Sequence, residues 1–423
     1  MLSVLDIAIV FLYAISLFAL AQWVSQEESG YQKNAQDYFL AGKSLPWWAI
    51  GASLIAANIS AEQIIGMSGS GYAIGLAIAS YEWMAAITLI LVGKFLLPIF
   101  LKRGIYTMPQ FLEQRYDHKV RMVMACFWLG VYIFVNLTSV LWLGALAMNT
   151  VVGLDIVLSM VLLGGFAVSY SLYGGLKAVA FTDIIQVLVL VLGGLMIAWV
   201  LLDTVAAGEG ILKGFQLLTD RAPEKFDLIL SPDNPHYMSL PGLSVLLGGM
   251  WIMNISYWGF NQYIIQRALA ARNLKEAQKG IAFAAFLKLL MPVIVVLPGI
   301  AIFVLSPTLT APDQAYPEAM MLLPSGIKGL VFAALLAAIV SSLASMTNSI
   351  ATIFTLDIYP SFSTGSDISI KNLSMLIKKN LDYNKKDIDF SNNYAEYQKY
   401  ILADAQTSGG LLMSCPKENS EFQ

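Results

Sequence analysis

The stretch AANISAEQII, residues 56–65, decides how this chain folds. It lies within an apolar segment that runs roughly over residues 46–70. This is long enough to cross the ~30 Å hydrocarbon core of a bilayer, which takes about 20 residues. Yet Asn58, Ser60, Glu62 and Gln63 fall within six consecutive positions. Because hydrogen-bonding side chains are costly at that depth unless they line a cavity or hold a ligand, the stretch predicts a membrane helix that is interrupted for a functional reason.

The composition indicates a membrane protein. Hydrophobic residues make up 57% and charged residues 13% of the 423 positions, which is more apolar surface than a soluble core can bury. The two cysteines and two histidines lack metal-site spacing. Nine segments are long enough to span a bilayer, which predicts an all-α polytopic membrane protein; they run roughly over 4–24, 46–70, 77–101, 122–148, 155–173, 178–203, 243–267, 281–306 and 325–357.

The distribution of Lys and Arg predicts the orientation in the membrane. Loops at one end of the segments carry twelve Lys and Arg residues, Arg267 among them, and loops at the other end carry four. Positive charge is retained on the cytoplasmic side. We therefore expect an inner (plasma) membrane protein with its N-terminus and residues 204–242 outside, the chain after the ninth segment inside, and no nucleic-acid partner.

The composition changes after Tyr359. Residues 360–423 contain seven Lys and eight acidic residues and no segment long enough to span a bilayer. This predicts a small cytoplasmic tail, either a solvated chain or a folded domain.

An Asn-Ile-Ser motif occurs in segment two and again in segment seven, at residues 58–60 and 254–256, with glycines nearby in both. Interrupted hydrophobic segments at corresponding positions of two halves are typical of transporter binding sites. The alternative is close helix packing through small residues. Position and polarity together favour two broken helices.

Five stretches resemble the sodium–solute symporter family, in particular its bacterial sodium–galactose members. The resemblance implies a leucine-transporter-like inverted-repeat fold of five plus five helices, preceded by one extra helix. Segments two to six are then the first repeat, and segments seven to nine begin the second. It also implies a transporter and not an enzyme, which uses a sodium gradient to import a sugar such as galactose or glucose. The stretches are YFLAGKSLPWWAIGASLIAANISAEQIIGMSGSGYAIGLAIASYEWM (38–84), YSLYGGLKAVAFTDIIQVLVLVLGG (170–194), YWGFNQYIIQRALAA (257–271), KGIAFAAFLKLLMPVIVVLPGIA (279–301) and KGLVFAALLAAIVSSLASMTNSIATIFTLDIY (328–359).

A sodium site is expected where an unwound helix exposes carbonyls beside hydroxyl groups, since sodium takes several oxygen ligands. Taken alone, the adjacent Ser341 and Ser342 favour hydroxyls that bond their own helix. The resemblance reverses this and implies that sodium binds the carbonyls of Ala56, Ile59 and Ala338 and the hydroxyls of Ser341 and Ser342. It also implies that Asp183 lies on the sodium exit path, although a simple interfacial acid fits that position equally well.

A sugar site needs amides, charged groups and an aromatic plate in a dry pocket. Trp258 is expected to pack rather than bind. A charge at the bilayer centre costs at least about 2.5–3.5 kcal/mol, so Glu82 and Lys288 are expected to have partners. Otherwise Glu82 is interfacial and Lys288 reaches the surface along its own stem. The candidate sugar residues are Asn58, from its polarity and position, and, as the resemblance implies, Gln63, Glu82, Asn254 and Lys288, with Tyr257 as inner gate and Met67 and Tyr81 on the outer side.

Two features depart from the family pattern. Ala85 stands where the sugar-transporting relatives carry a serine, which leaves the preferred sugar open. The family also continues with further spans, whereas this chain closes on ADAQTSGGLLMSCPKE (403–418), which resembles the C-terminal signature of selenophosphate synthetase. We therefore expect a symporter domain over 1–359 that lacks its last helices and an enzyme-derived fragment over 360–423. The alternative function is a truncated or chimeric product, which is expected not to couple transport because the second repeat has only three of five spans.

Overall fold

The computed structural model describes residues 2–26, 35–240 and 242–362, and every regular element in these ranges is a helix. The chain forms two compact units, Met1–Ile358 and Tyr359–Gln423. The first contains all the helices named below. In the second, the described part is the short helix Tyr359–Phe362, and the predicted tail from residue 363 onward lies outside the described residues.

The apolar helices agree with the nine predicted segments. Among the described residues, six helices are long and apolar enough to cross a membrane singly, and two bent pairs raise that number to eight. A further apolar helix, Ile156–Ser169, is shorter. Short helices on the connections are Ala35–Phe39, Met108–Arg115, Ile211–Arg221 and Ala315–Met321, and the short helix Gly242–Leu247 belongs to the second bent pair. The helices that build the bundle are α1 (Val4–Ser25), α2 (Trp47–Asn58), α3 (Glu62–Ala73), α4 (Leu76–Arg103), α5 (His118–Val152), α6 (Ile156–Ser169), α7 (Gly175–Val205), α8 (Gly249–Phe260), α9 (Gln262–Leu269), α10 (Leu274–Leu305) and α11 (Ile327–Ile358). The prediction of an all-α polytopic membrane protein is confirmed.

Segment two is broken at the stretch from which the sequence analysis began. Helix α2 ends at Asn58, α3 begins at Glu62, and the two axes differ by 65°. Between them, Ile59 has a non-helical ψ of 89°, and the Ser60 amide bonds the Asn58 carbonyl at 2.9 Å. The polar residues of the motif therefore surround a break in the backbone, as predicted.

Segment seven is also broken, but not at its Asn-Ile-Ser motif. Its axis bends by 77° at Gly248, between Tyr237–Leu247 and α8, and α8 is separated from α9 at Asn261. The motif at 254–256 lies inside α8 instead. Tyr132 on α5 stabilises this second break at Asn261: its hydroxyl accepts from the Gln262 amide at 3.0 Å and donates to the side-chain oxygen Asn261 Oδ1 at 2.6 Å.

Backbone pairing joins the two broken segments just before α2 and just after α9. The Leu45 amide donates to the Ala270 carbonyl at 3.2 Å, and the Arg272 amide donates to the Leu45 carbonyl at 3.3 Å. Leu45 lies two residues before the start of α2 at Trp47, and Ala270 immediately follows α9. Helices α2 and α9 also pack side by side. The first half of segment two is therefore paired with the last part of segment seven.

The junction between α6 and α7 requires a glycine. Gly175 has a φ of +56°, which side-chain-bearing residues rarely adopt, and a Cβ there would lie 2.6 Å from the Tyr38 carbonyl oxygen. This kink sets the direction of α7, whose Gly193 packs on Val331 and Ala334 of α11.

The far end of α3 is held by a residue from the 204–242 connection. Lys225 Nζ donates to the Ala73 carbonyl at 2.8 Å, and it lies 4.1 Å from the centre of the Phe303 ring. Burial lowers the pKa of Lys225 below its ordinary value, although nearby Glu224 acts in the opposite direction. The C-terminal end of α3 thus receives a cation, which its free carbonyls favour.

Candidate functional site

The break between α2 and α3 exposes a main-chain oxygen. In a continuous helix the Ser60 amide would bond the Ala56 carbonyl, but here it bonds Asn58 instead. Ser342 Oγ on α11 donates to the neighbouring Ala57 carbonyl at 3.2 Å. The predicted sodium residues therefore come from two helices that meet at this crossing: Ala56 and Ile59 at the break, and Ala338, Ser341 and Ser342 on α11.

A buried carboxylate adjoins the same crossing. Asp183 on α7 is fully buried, and it accepts from Ser341 Oγ at 2.5 Å and from Ser53 Oγ of α2 at 2.5 Å. Its carboxylate is therefore enclosed by helices α2, α7 and α11. The hydroxyls of Ser341 and Ser342 both donate to groups on other helices, in contrast to the expectation from the serine pair alone.

Arg267 reaches this cluster from α9. The side chain is fully buried, and the guanidinium donates to Ser53 Oγ at 3.1 Å, to Ser345 Oγ and to the Tyr263 carbonyl. The orientation argument counted Arg267 as a loop residue, and that assignment is wrong. In the sequence, Arg267 is a charged residue at the end of an apolar segment. Its burial follows from the change in chain direction at Asn261, which places α9 within the helix bundle.

The predicted sugar-binding charges form a pair. Glu82 and Lys288 are 3% and 1% exposed, and Lys288 Nζ lies 2.6 Å from Glu82 Oε2. The Gln63 amide donates to the other Glu82 oxygen and lies 2.7 Å from Met67 Sδ. Lys288 Nζ also lies 5.2 Å from the Trp258 ring centre, within cation–π range. Glu82 and Lys288 are thus enclosed within the helix bundle and are partnered by each other.

Three polar side chains connect the break in segment two to α8 and α9. Asn58 Nδ2 donates to Tyr257 Oη at 2.9 Å, and the Tyr257 and Tyr263 hydroxyls are 2.6 Å apart. Asn58 Oδ1 is buried and has no hydrogen-bond partner within the described ranges. Tyr263, which the sequence analysis missed, is fully enclosed beneath Tyr257 and packs edge-on against Tyr132.

Other predicted residues lie nearby without joining these contacts. Asn254 is buried on α8, and its amide donates to the Met250 carbonyl of the same helix at 3.0 Å. Tyr81 is half-buried next to Glu82. Ala85 is buried one turn along α4 and offers only a methyl group. Glu62, unassigned from sequence, bonds the Ser139 side chain on α5.

An apolar cavity of about 500 Å³ lies elsewhere, between α1, α6 and α11. None of the predicted sugar or sodium residues lines it. Gln63 and Lys288 each contact a different oxygen of Glu82 instead.

Comparison with protein-family models gives a match that covers most of the chain. A model described as the sodium:solute symporter family matches residues 38–377. The matched region runs past the composition change after Tyr359.

Several curated proteins are similar to this chain. A sodium/glucose cotransporter from Vibrio parahaemolyticus is 56% identical over 378 residues, which cover 85% of this chain and 70% of that protein. The uncharacterized symporter YidK of Escherichia coli is 38% identical, over 81% of this chain and 61% of that protein. Sodium/glucose cotransporter 4 of Danio rerio is 33% identical, over 85% of this chain and 58% of that protein. Apart from the Vibrio protein, the chain thus spans less than two thirds of these relatives.

A solved structure shares the fold. The substrate-bound outward-open state of a Na⁺-coupled sialic acid symporter superposes with a TM-score of 0.76 at 26% identity. The match covers 86% of this chain and 77% of that one. The leucine-transporter-like architecture predicted above is confirmed by this likeness.

Proposed function

We propose, from the premise that this chain belongs to the sodium:solute symporter family, that it carries a sugar such as galactose or glucose together with sodium. The family consists of sodium-coupled transporters, not enzymes, and the apolar helices make the chain a multi-pass membrane protein. The identity of the solute and the roles of individual residues are the proposal. The resemblance to sodium/glucose cotransporters supports a sugar.

The observation that carries the proposal is the side-chain amide oxygen of Asn58, which has no hydrogen-bond partner among the described residues and lies near other buried donors and acceptors. Asn58 Oδ1 can accept a hydrogen bond from a sugar hydroxyl. The Gln63 amide and the Lys288 ammonium can each donate to one, and Glu82 can accept from another. A molecule with several adjacent hydroxyls satisfies all of these groups at once, whereas an apolar solute would leave buried polar atoms without partners.

Sodium is the second substrate in this proposal. The carbonyls of Ala56, Ile59 and Ala338 and the hydroxyls of Ser341 and Ser342 provide the neutral oxygens that a hard cation takes. Asn58 both ends α2 beside these carbonyls and holds the Tyr257 hydroxyl. Binding of sodium at the break would therefore fix the residue that contacts the inner gate.

The proposed orientation places the N-terminus outside and residues 360–423 in the cytoplasm. It places Tyr257 on the inner side of the sugar, and Met67 and Tyr81 on the outer side. Asp183 then adjoins the path along which sodium leaves towards the cytoplasm.

Equilibrium binding of labelled galactose and glucose to the purified chain tests this function. We expect sodium, but not choline, to promote binding of one of them. Gln63→Ala should weaken binding by more than about 1 kcal/mol, because a sugar hydroxyl loses its donor inside a dry site.

Gln278→Ala is the matched control, since this amide bonds the Gly93 carbonyl. It lies ten residues from Lys288 on α10, about 15 Å by helical rise, and should leave binding unchanged. Sugar binding that ignores sodium, or that Gln63→Ala leaves intact, would refute the assignment.

A further inference from the structure

Arg267 has no part in the proposed sugar and sodium contacts, yet it is fully buried. A buried guanidinium is costly unless its charge and its donors are matched. Its donors reach Ser53 on α2, Ser345 on α11 and the Tyr263 carbonyl on its own helix.

Ser53 connects Arg267 to a carboxylate. Its oxygen accepts from Arg267 Nε at 3.1 Å, and its hydroxyl proton is donated to Asp183 Oδ2 at 2.5 Å. A hydroxyl has one proton, so accepting from the guanidinium directs that proton towards Asp183. The positive charge beyond Ser53 also stabilises the carboxylate in an interior of low dielectric.

Asp183 in turn orients Ser341. The Ser341 hydroxyl donates its only proton to Asp183 Oδ1 at 2.5 Å. The lone pairs of Ser341 Oγ then point away from the carboxylate and stay available to a cation. Groups that orient a ligand in this way typically change metal affinity by about 10–100-fold when they are removed.

We propose that Arg267 is a positioning residue for sodium, which acts through Ser53 and Asp183 on the Ser341 hydroxyl. This rests on the proposed function in placing Ser341 among the sodium ligands. Arg267 itself never touches the ion. It fixes the direction of two hydroxyl protons, and so the direction in which the Ser341 oxygen is presented.

A purely structural role would use the other end of the guanidinium. In that case Arg267 fastens α9 to α11 through Ser345, and Ser53 is incidental. The two roles therefore differ in whether sodium affinity depends on Ser53 or on Ser345. Both serines are fully buried, so substitution by alanine removes one buried hydroxyl in each case.

Sodium titration of the purified full chain in detergent separates the two roles. The readout is the rise in thermal unfolding midpoint with sodium, with choline keeping the ionic strength constant. We expect Arg267→Met and Ser53→Ala each to raise the half-saturating sodium concentration by about tenfold or more. The Arg267→Met/Ser53→Ala double variant should bind sodium no more weakly than the weaker of the two single variants, because both residues act through the same hydrogen bond to Asp183. Ser345→Ala should stay within about twofold of wild type, a difference of about 0.4 kcal/mol.

Several results would overturn the inference. They are a Ser345→Ala effect as large as that of Ser53→Ala, an unchanged sodium response in Ser53→Ala, or additive losses in the double variant. If Arg267→Met fails to fold, Ser53→Ala against Ser345→Ala still decides. Absence of any sodium response in wild type would instead refute the proposed function.

Discussion

At the scale of single residues, Glu82 and Lys288 depend on each other. Both are buried, and Nζ lies 2.6 Å from Oε2. Removing one partner of such a pair leaves a buried charge without compensation, whereas replacing both partners leaves no buried charge to compensate.

We expect Lys288→Met to destabilise the protein by about 3–5 kcal/mol, and the double variant Lys288→Met/Glu82→Gln to recover part of that loss. Unfolding of both variants in detergent, followed by tryptophan fluorescence, measures the difference. A double variant that is less stable than Lys288→Met would show that the two charges do not form a pair in the folded protein.

The candidate residues could be predicted where charge or polarity stands out against an apolar segment. Asn58 stands out in this way, whereas the sugar-binding roles of Gln63, Glu82 and Lys288 came from the family resemblance. Arg267 carried the same signal but was assigned to a loop, because nothing local indicates that the chain folds back inside after Asn261. Ser53 and Tyr263 could not be found from the sequence, because their importance comes only from partners on distant helices.

At the scale of helices, α3, the second half of segment two, crosses α10 with almost no space between the backbones. A Cβ at Gly299 would lie 2.0 Å from the Ser68 carbonyl oxygen, and one at Gly71 would lie 2.5 Å from the Val296 carbonyl oxygen. Glycines on both helices therefore allow α3, which carries Met67, to lie directly against α10.

Gly299→Ala should force the two helices apart and lower stability by about 1–3 kcal/mol. The thermal unfolding midpoint in detergent measures this. The matched control is Gly130→Ala on α5, where a Cβ meets nothing within 4 Å. There alanine should be neutral or stabilising, because it is the better helix former. Equal midpoints for the two variants would mean that the crossing is looser than described.

The helices themselves were largely predictable from length and apolar composition, and the break at Ile59 was indicated by its polar residues. The break at Asn261 was not. It is stabilised by Tyr132, which is distant in sequence and lies on another helix, so no pattern within segment seven indicates it. By contrast, the bend at Gly175 falls between the predicted segments 155–173 and 178–203.

At the scale of the whole molecule, the orientation in the membrane is still a prediction. It can be checked with single cysteines at the exposed positions Lys213 and Lys119 in a Cys126→Ser/Cys415→Ser background. We expect a membrane-impermeant maleimide to label Lys213→Cys in intact cells and Lys119→Cys only after permeabilisation, because positive charge is retained inside. The reverse labelling pattern would invert the proposed direction of every gate.

The backbone pairing between Leu45 and the end of α9 has a consequence for how this protein can be studied and how it can vary. Its two hydrogen bonds use amide and carbonyl groups that almost every amino acid possesses. Replacing the side chain at 45 leaves those groups in place, so alanine scanning does not test these two bonds. Only the loss of an amide proton, as when proline replaces Leu45 or Arg272, removes one of its bonds. A position that tolerates every residue except proline can therefore still contribute to this backbone pairing.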